Sequence, residues 1–286
     1  MNRDQLFFER FGKTSDEAWL ELLIRSIDQP VIEGVEFPRF PSEKMQSGFV
    51  GSSGAEAMRE AFVFYQDVRR YAGQLGMPVT RESRVLDFGC GWGRHYRIFL
   101  RELMPARYVG IDIDPECVAI CRQTIPTGNF EQSAVEPPLR FADGSFDIVY
   151  AYSVFSHLSE TVHLRGVEEF ARILRPGGML VVTTLKRAHI GVWDRLMREG
   201  PPWWKAFLRK VEFDCERWQA GYDAGQFLFC PTGGGGVRSA EFYGEAIISP
   251  AYIRKFWSRH LDLVEHLDDR ANAPQVLIVA QKRTAP

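Results

Sequence analysis

The sequence predicts an α/β fold built around a mostly parallel sheet, and three observations carry that prediction. Strand-like and helix-like patterns alternate from about residue 83 to 186, the arrangement that covers both faces of a parallel sheet with helices. Residues 85–97, Val-Leu-Asp-Phe-Gly-Cys-Gly-Trp-Gly-Arg-His-Tyr-Arg, run from a strand end through a glycine-rich turn into a helix start. Further on, Tyr108-Val-Gly-Ile-Asp112-Ile-Asp-Pro115 reads as a second strand that ends in an acid.

Residues 1 to about 80 precede the glycine turn and carry helical patterns over Ser15 to Ile27 and Gly54 to Gly76, the second with an apolar stripe of Ala61, Phe62, Tyr65, Val68 and Tyr71. Between them, residues 38–53 combine prolines with small polar residues and read as a loop. That loop is either a surface connection or a segment folding over a ligand, with Gln46, Ser47 and Ser52 as its polar contacts. Strands are expected near 84–88, 107–112, 128–131, 146–151 and 178–184, and a helix from Arg94 to Arg101. Ser249-Pro250 is an N-cap followed by proline at the first helical position, opening a helix to about His260. Strands near 261–267 and 275–282 follow.

The glycine turn marks a ligand site, because Gly89, Gly91 and Gly93 let the backbone adopt positive φ and approach a ligand closely. The dinucleotide fingerprint G-x-G-x-x-G is not met, since Arg94 stands where its third glycine belongs. Asp87, at the mouth of the turn, repels a pyrophosphate and suits an ammonium. Asp112 is placed to accept hydrogen bonds from ribose hydroxyls. A ligand with an amino-acid end, a ribose and no phosphate answers both acids, and S-adenosylmethionine has that description.

On these residues the chain resembles the class I S-adenosylmethionine-dependent methyltransferases. Asp87-Phe-Gly-Cys-Gly-Trp-Gly93 is similar to their first motif and Gly110-Ile-Asp112 to the acidic second. Leu139 to Leu158 resembles the segment around their fourth strand, and Arg172-Ile-Leu-Arg-Pro-Gly-Gly178 the turn into the fifth. Pro137-Pro138-Leu139 with Ser153-Val-Phe-Ser-His-Leu158 is most similar to bacterial members associated with glycan or secondary-metabolite pathways. The resemblance implies a Rossmann-like seven-stranded sheet with helices on both faces, closed by an antiparallel pair from the last two strands. It further implies an N-terminal helical extension over 1–80, a methyltransferase domain over 81–286, and an insertion after the fifth strand over 186–247.

The implied cofactor contacts are Asp87, Phe88, Gly89, Cys90, Gly91, Trp92, Gly93, Asp112, Ile113, Gln132, Ser133, Ala134, Val135, Tyr152 and Ser153. Tyr152 and Phe88 are candidates to face the sulfonium through cation–π attraction. Many family members place an aspartate beside the adenine where this chain has Ser133, so Gln132, Ser133 or a backbone carbonyl must supply that contact. Trp92 is as readily a packing residue as a stacking platform. His157, after the fourth strand, is the candidate general base for a hydroxyl acceptor, against the alternative that it anchors the following helix. His163 reads as a solvated helix residue and His95 as helix surface or packing.

The insertion is dense in aromatics, from Trp193, Trp203 and Trp204 to Phe242 and Tyr243, and contains Gly233-Gly-Gly-Gly236. It reads as a substrate lid with a flexible glycine run, or alternatively as an accessory helical element whose aromatics are buried for stability. A formal net charge of −2 provides no basic field for a phosphate backbone, so a nucleic-acid partner is not expected. Cys90, Cys117, Cys121, Cys215 and Cys230 form no C-x-x-C pair, the histidines show no helical metal spacing, and no metal is expected. No apolar run approaches the ~20 residues that span a bilayer, and the opening residues lack a signal peptide's apolar core, so a soluble cytoplasmic protein is expected. The expected activity is methyl transfer to a small molecule, more readily at oxygen than at nitrogen, with S-adenosylhomocysteine as the product. The rivals are a nicotinamide oxidoreductase, a macromolecule methyltransferase and a cofactor-binding protein without transfer activity.

Overall fold

The computed structural model describes residues 3–269 and 273–284. The chain divides into two compact units, residues up to 133 with 146–150, and residues 134–145 with those from 151 onward.

The first unit opens with α1 (Arg3–Phe11), α2 (Asp16–Arg25) and a hairpin of β1 (Val31–Ile32) and β2 (Val35–Glu36). Neither α1 nor the hairpin is apparent from periodicity, because each is too short for a pattern to emerge. They are held by aromatic packing: Phe37 lies 5.1 Å from Phe7 and 5.8 Å from Trp19, centroid to centroid, and the Trp19 indole donates to the Ile98 carbonyl at 2.9 Å. Then comes α3 (Glu43–Val50), inside the stretch expected to be a loop. The correction has a plain cause, since its prolines and serines lie largely on the helix flanks and Gly51 ends the helix in a left-handed conformation at φ 80°. The long α4 (Gly54–Gln74) buries the expected stripe, with Ala61, Phe62, Tyr65, Val68 and Tyr71 all inside.

The parallel strands of this unit are β3 (Val85–Phe88), β4 (Tyr108–Asp112), β5 (Asn129–Gln132) and β6 (Phe146–Ala151), with α5 (Arg94–Phe99) after β3 and α6 (Pro115–Thr124) after β4. Both β4 and β6 pair in parallel with β3, so the chain order reverses around β3. That reversal is where ligands of open α/β sheets bind, outside the carboxyl ends of the strands.

The second unit contains α7 (Glu160–Ile173), β7 (Leu174–Thr184), α8 (His189–Glu199), α9 (Pro202–Lys210), α10 (Cys215–Asp223), β8 (Leu228–Cys230), β9 (Glu245–Ile247), α11 (Pro250–Phe256), β10 (Leu261–Leu267) and β11 (Val276–Lys282). Strand β7 begins at Leu174, ahead of Gly177-Gly178, which were expected as a turn before it; Gly177 keeps positive φ within the strand. The insertion forms its own apolar cluster, in which Trp193, Trp218, Tyr222 and Leu208 are buried, whereas Trp203 is 58% exposed. The glycine run is a turn: Gly234 donates to the Arg238 carbonyl at 2.9 Å and Gly233 to that of Tyr243 at 3.0 Å.

The main sheet has seven strands in the order β10-β11-β7-β6-β3-β4-β5. Strand β11 runs antiparallel to both β10 and β7, as expected for the closing pair. Among the described residues, no helix is long and apolar enough to cross a membrane.

Candidate functional site

In the first unit the glycine turn leaves β3 and is held from two sides. The Gly89 and Cys90 amides both donate to the Ile111 carbonyl, at 2.8 and 3.0 Å, and Gly93 donates to Cys90 at 2.9 Å. The Gly91 amide donates to Asp112 Oδ2 at 3.0 Å, while Asp112 Oδ1 receives the Asp114 amide at 2.9 Å. Amides that would cradle a phosphate in a dinucleotide site are thus committed to protein acceptors. From below, the buried Arg97 guanidinium donates to the Trp92 and Gly93 carbonyls at 3.0 and 2.8 Å and to the Arg39 carbonyl at 2.6 Å. Burial pushes this arginine down to about 10.

Trp92 is fully buried, its ring 5.8 Å from Phe40 and 5.0 Å from the Arg97 guanidinium. Of the two readings of Trp92, packing is what its side chain does. Cys90 is likewise buried, and Cys121 donates its thiol to the Gly91 carbonyl at 3.1 Å. Gly91 differs from Gly93: at φ +53° it has nothing within 4 Å of a Cβ built on it, so the turn presents an open, side-chain-free face there. A Cβ at Gly93 would instead lie 2.7 Å from Ile125.

Asp87 is 1% exposed. The Tyr108 hydroxyl donates to its Oδ2 at 2.6 Å, and the Tyr108 and Tyr150 hydroxyls are themselves in close hydrogen-bonding contact. The other carboxyl oxygen, Oδ1, is buried with no hydrogen-bond partner. Burial is the main force on the group and raises its pKa to about 7; the two tyrosines and Arg94 oppose the rise and Asp112 adds to it. Strand register explains the meeting, because Asp87 aligns with Gly110 and Tyr150, and Tyr108 lies two residues before Gly110 on the same face of the sheet.

At the end of β5, Ser133 donates its amide to the Asp112 carbonyl at 2.9 Å, and its hydroxyl is buried without a partner. Gln132 is exposed and donates to the Ile113 carbonyl at 3.3 Å. These residues suit a nucleoside with a cationic amino-acid end: an unmet buried carboxyl oxygen, an unmet buried hydroxyl, and a turn with an open glycine.

The second unit gathers another polar cluster. Ser153 adopts φ 58°, a strained value for a residue with a Cβ. Its amide donates to Thr183 Oγ1 at 2.7 Å, Thr183 donates to Gln275 Oε1 at 2.5 Å, and the Gln275 amide donates back to Ser153 Oγ at 2.9 Å. Tyr152 is half-buried, Ala134 exposed and Val135 half-buried. His157 Nδ1 lies 2.8 Å from the Gly244 carbonyl and 3.6 Å from Glu245 Oε1, with the imidazole stacked on Tyr243 at 4.8 Å and 7° between planes. A carbonyl only accepts, so Nδ1 carries the proton and the neutral ring keeps its lone pair on Nε2. Burial lowers the His157 pKa, with the Gly244 carbonyl opposing and Arg238 reinforcing, while burial raises Glu245 to about 7.

Two expectations change. Gln46 is buried and bridges its own segment, donating to the Pro41 carbonyl at 2.8 Å and accepting the Gly54 amide at 2.9 Å; Ser47 bonds the Glu43 carbonyl and Ser52 contacts Glu60. Those three polar groups serve α3 and its junction with α4. His163 is not a solvated helix residue: it is fully buried, accepts the Trp257 indole at 3.1 Å, and is driven by burial down to about 3. His95 is packing, as one reading had it, lying 5.3 Å from Phe64 and 5.5 Å from Tyr150.

Sequence reading missed Tyr108, Tyr150, Arg97, Glu245 and Gln275. Tyr108 was open to recognition as a hydroxyl at the start of a strand whose alternation puts it on the Asp87 face. Glu245 and Gln275 carry no local signal, since only the pairing of distant strands brings them to His157 and Ser153. Among the described residues, no group of His, Cys, Asp or Glu is placed to hold a metal ion.

The seven-stranded sheet, with an acid-flanked glycine turn at its reversal, is the arrangement that the family resemblance implied. The profile of a family described as a methyltransferase domain matches residues 85–178. Over those residues the chain is similar to a methyltransferase domain, in line with the resemblance carried by its glycine turn and two acids. The chain is 34% identical over 125 residues to a phthiotriol/phenolphthiotriol dimycocerosates methyltransferase of Mycobacterium ulcerans, covering 42% of this chain and 44% of that protein. It is 32% identical over 143 residues to a fatty-acid O-methyltransferase of Mycolicibacterium smegmatis, covering 47% and 51% respectively. With a trans-aconitate 2-methyltransferase of Azoarcus it shares 31% over 132 residues, covering 46% and 50%. The matches span about half the length of these curated relatives.

Proposed function

We propose that this protein is an S-adenosylmethionine-dependent methyltransferase that methylates a hydroxyl of a small-molecule acceptor. The observation that carries the oxygen assignment is the His157 tautomer: with Nδ1–H tied to Gly244, Nε2 is a fixed acceptor able to take a hydroxyl proton. When bound, the cofactor supplies a methyl group already activated by its sulfonium.

The chain's own residues do the rest. Asp112 ties the glycine turn down through the Gly91 amide, accepts the Asp114 amide of its own segment, and offers its carboxylate to the ribose hydroxyls. Asp87 provides negative charge for the ammonium, and the Ser133 hydroxyl a polar contact for the base. Ser153, held by Thr183 and Gln275, keeps its strained backbone in one conformation, so no reorganisation is needed before reaction. A small acceptor is supported by the relatives, which are named for a fatty acid, trans-aconitate and phthiotriol/phenolphthiotriol dimycocerosates. It is also supported by the near-neutral charge of the chain.

A labelled-methyl transfer screen over sugar-containing acceptors, polyketide alcohols, hydroxylated lipids and carboxylic acids tests the proposal. O-methyl product lost in His157→Asn supports it. Exclusive transfer to amines, or cofactor binding without transfer to any acceptor class, overturns it.

A further inference from the structure

Asp87, Tyr108 and Tyr150 come from three neighbouring parallel strands and are 1%, 1% and 0% exposed. Only one side of the carboxyl is satisfied: Oδ2 accepts from Tyr108, and Oδ1 is buried without a partner. A buried carboxylate with an unmet oxygen carries a large desolvation cost, which the group avoids by holding a proton. We infer that the Asp87–Tyr108–Tyr150 cluster is a proton store coupled to the cofactor, keeping a proton on Asp87 in the ligand-free protein and releasing it to solvent when an ammonium docks at the glycine turn. This rests on the assignment of that turn to S-adenosylmethionine.

The groups around Asp87 are consistent with such coupling. From β4 come Tyr108 and Asp112, from β6 Tyr150, from the turn Cys90, and from α5 Arg94, which pairs at 3.6 Å with Glu60 of α4. The His95 imidazole lies against Tyr150, and burial holds it neutral. Burial and Asp112 favour the protonated acid, and Tyr108, Tyr150 and Arg94 favour the carboxylate. The opposing influences leave Asp87 near pH 7, where one added cation tips the balance. The step is a proton transfer alone: the carboxyl O–H breaks, the proton passes to buffer, and nothing is oxidised or reduced.

Linkage sets the magnitudes. Ammonium binding should release roughly half a proton per site at about pH 7 and roughly nine-tenths at about pH 6, with affinity falling about tenfold per pH unit below that range. Calorimetry in buffers of differing ionisation enthalpy reads the proton count directly. The probes are S-adenosylmethionine and 5′-methylthioadenosine, which shares the nucleoside but lacks the ammonium.

The expected result is proton release with S-adenosylmethionine, none with methylthioadenosine, and none in Asp87→Asn. In Tyr108→Phe the acid loses a donor that favours its charged form. Release at about pH 7 should therefore approach a full proton, and the lost affinity should return above about pH 8. Recovery at high pH separates this effect from damage to the fold. Tight S-adenosylmethionine binding with no proton release, or equal release in Asp87→Asn, overturns the inference while leaving the cofactor assignment intact. Failure of S-adenosylmethionine to bind at all overturns both.

Discussion

His157 donates its Nδ1–H to the Gly244 carbonyl at 2.8 Å, and the His157 carbonyl accepts the Gly244 amide at 2.8 Å in return. The reciprocal pair anchors the imidazole to the strand that begins at Glu245. Asparagine can repeat the side-chain bond without offering a base, so the structural and chemical roles of this histidine separate by substitution. His157→Asn should keep a melting temperature near wild type and unchanged cofactor affinity while turnover falls about 10²- to 10⁴-fold; His157→Ala should lose both stability and turnover. Equal turnover in His157→Asn and wild type removes the residue from catalysis.

The same imidazole predicts a pH profile. Its pKa lies below the ordinary 6.5 because of burial, and only the neutral ring accepts a proton. Turnover at saturating cofactor should be flat above that value and fall as pH drops through the lowered one, with the acidic limb absent in His157→Asn. A limb that persists in the variant assigns it to another group.

Asp112 holds two backbone amides, so its loss acts on the turn as well as on the ligand. Asp112→Ala should weaken S-adenosylmethionine binding ten- to a hundredfold, about 1.4–2.8 kcal/mol, with a lower melting temperature. Unchanged calorimetric affinity would remove Asp112 from the cofactor site.

Two glycines of one turn should respond differently to alanine. At Gly93, φ is +74° and the new methyl would meet Ile125 at 2.7 Å, so the cost should fall on stability, about 1–3 kcal/mol. At Gly91 the methyl meets no protein atom within 4 Å, so the backbone cost is about 1 kcal/mol and the larger loss should be in cofactor affinity. Parallel denaturation and calorimetry check the contrast, and equal affinity losses would break it.

His163 ties stability to pH. Its folded pKa of about 3 lies below the unfolded value near 6.5, so the unfolded chain binds the extra proton. The stabilisation is complete above pH 6.5 and is lost as pH falls toward 3, by about 1.4 kcal/mol per unit. His163→Gln keeps an acceptor for the Trp257 indole without titrating, and should flatten the slope of unfolding free energy between about pH 6.5 and 5 by roughly 2 kcal/mol over that range. An unchanged slope would mean that the ring is accessible to protons in the folded state.

The sheet, the glycine turn and its two acids were legible in the sequence because each is a local signal. Strand and helix alternate with their own periods, glycine marks positive φ, and Asp87 and Asp112 end recognisable strands. The short helix from Glu43 to Val50 was hidden by prolines and serines that belong to its flanks, and His163 by the polar sequence around it. Burial of His163 depends on Phe155, Phe227 and Trp257, which only folding brings together. What tertiary structure alone decided was the state of the functional groups: which oxygen of Asp87 is satisfied, which nitrogen of His157 holds the proton, and that Thr183 and Gln275 support Ser153. Chemistry of that kind follows from register and burial, because a side chain's charge and tautomer are set by partners that lie far away along the chain.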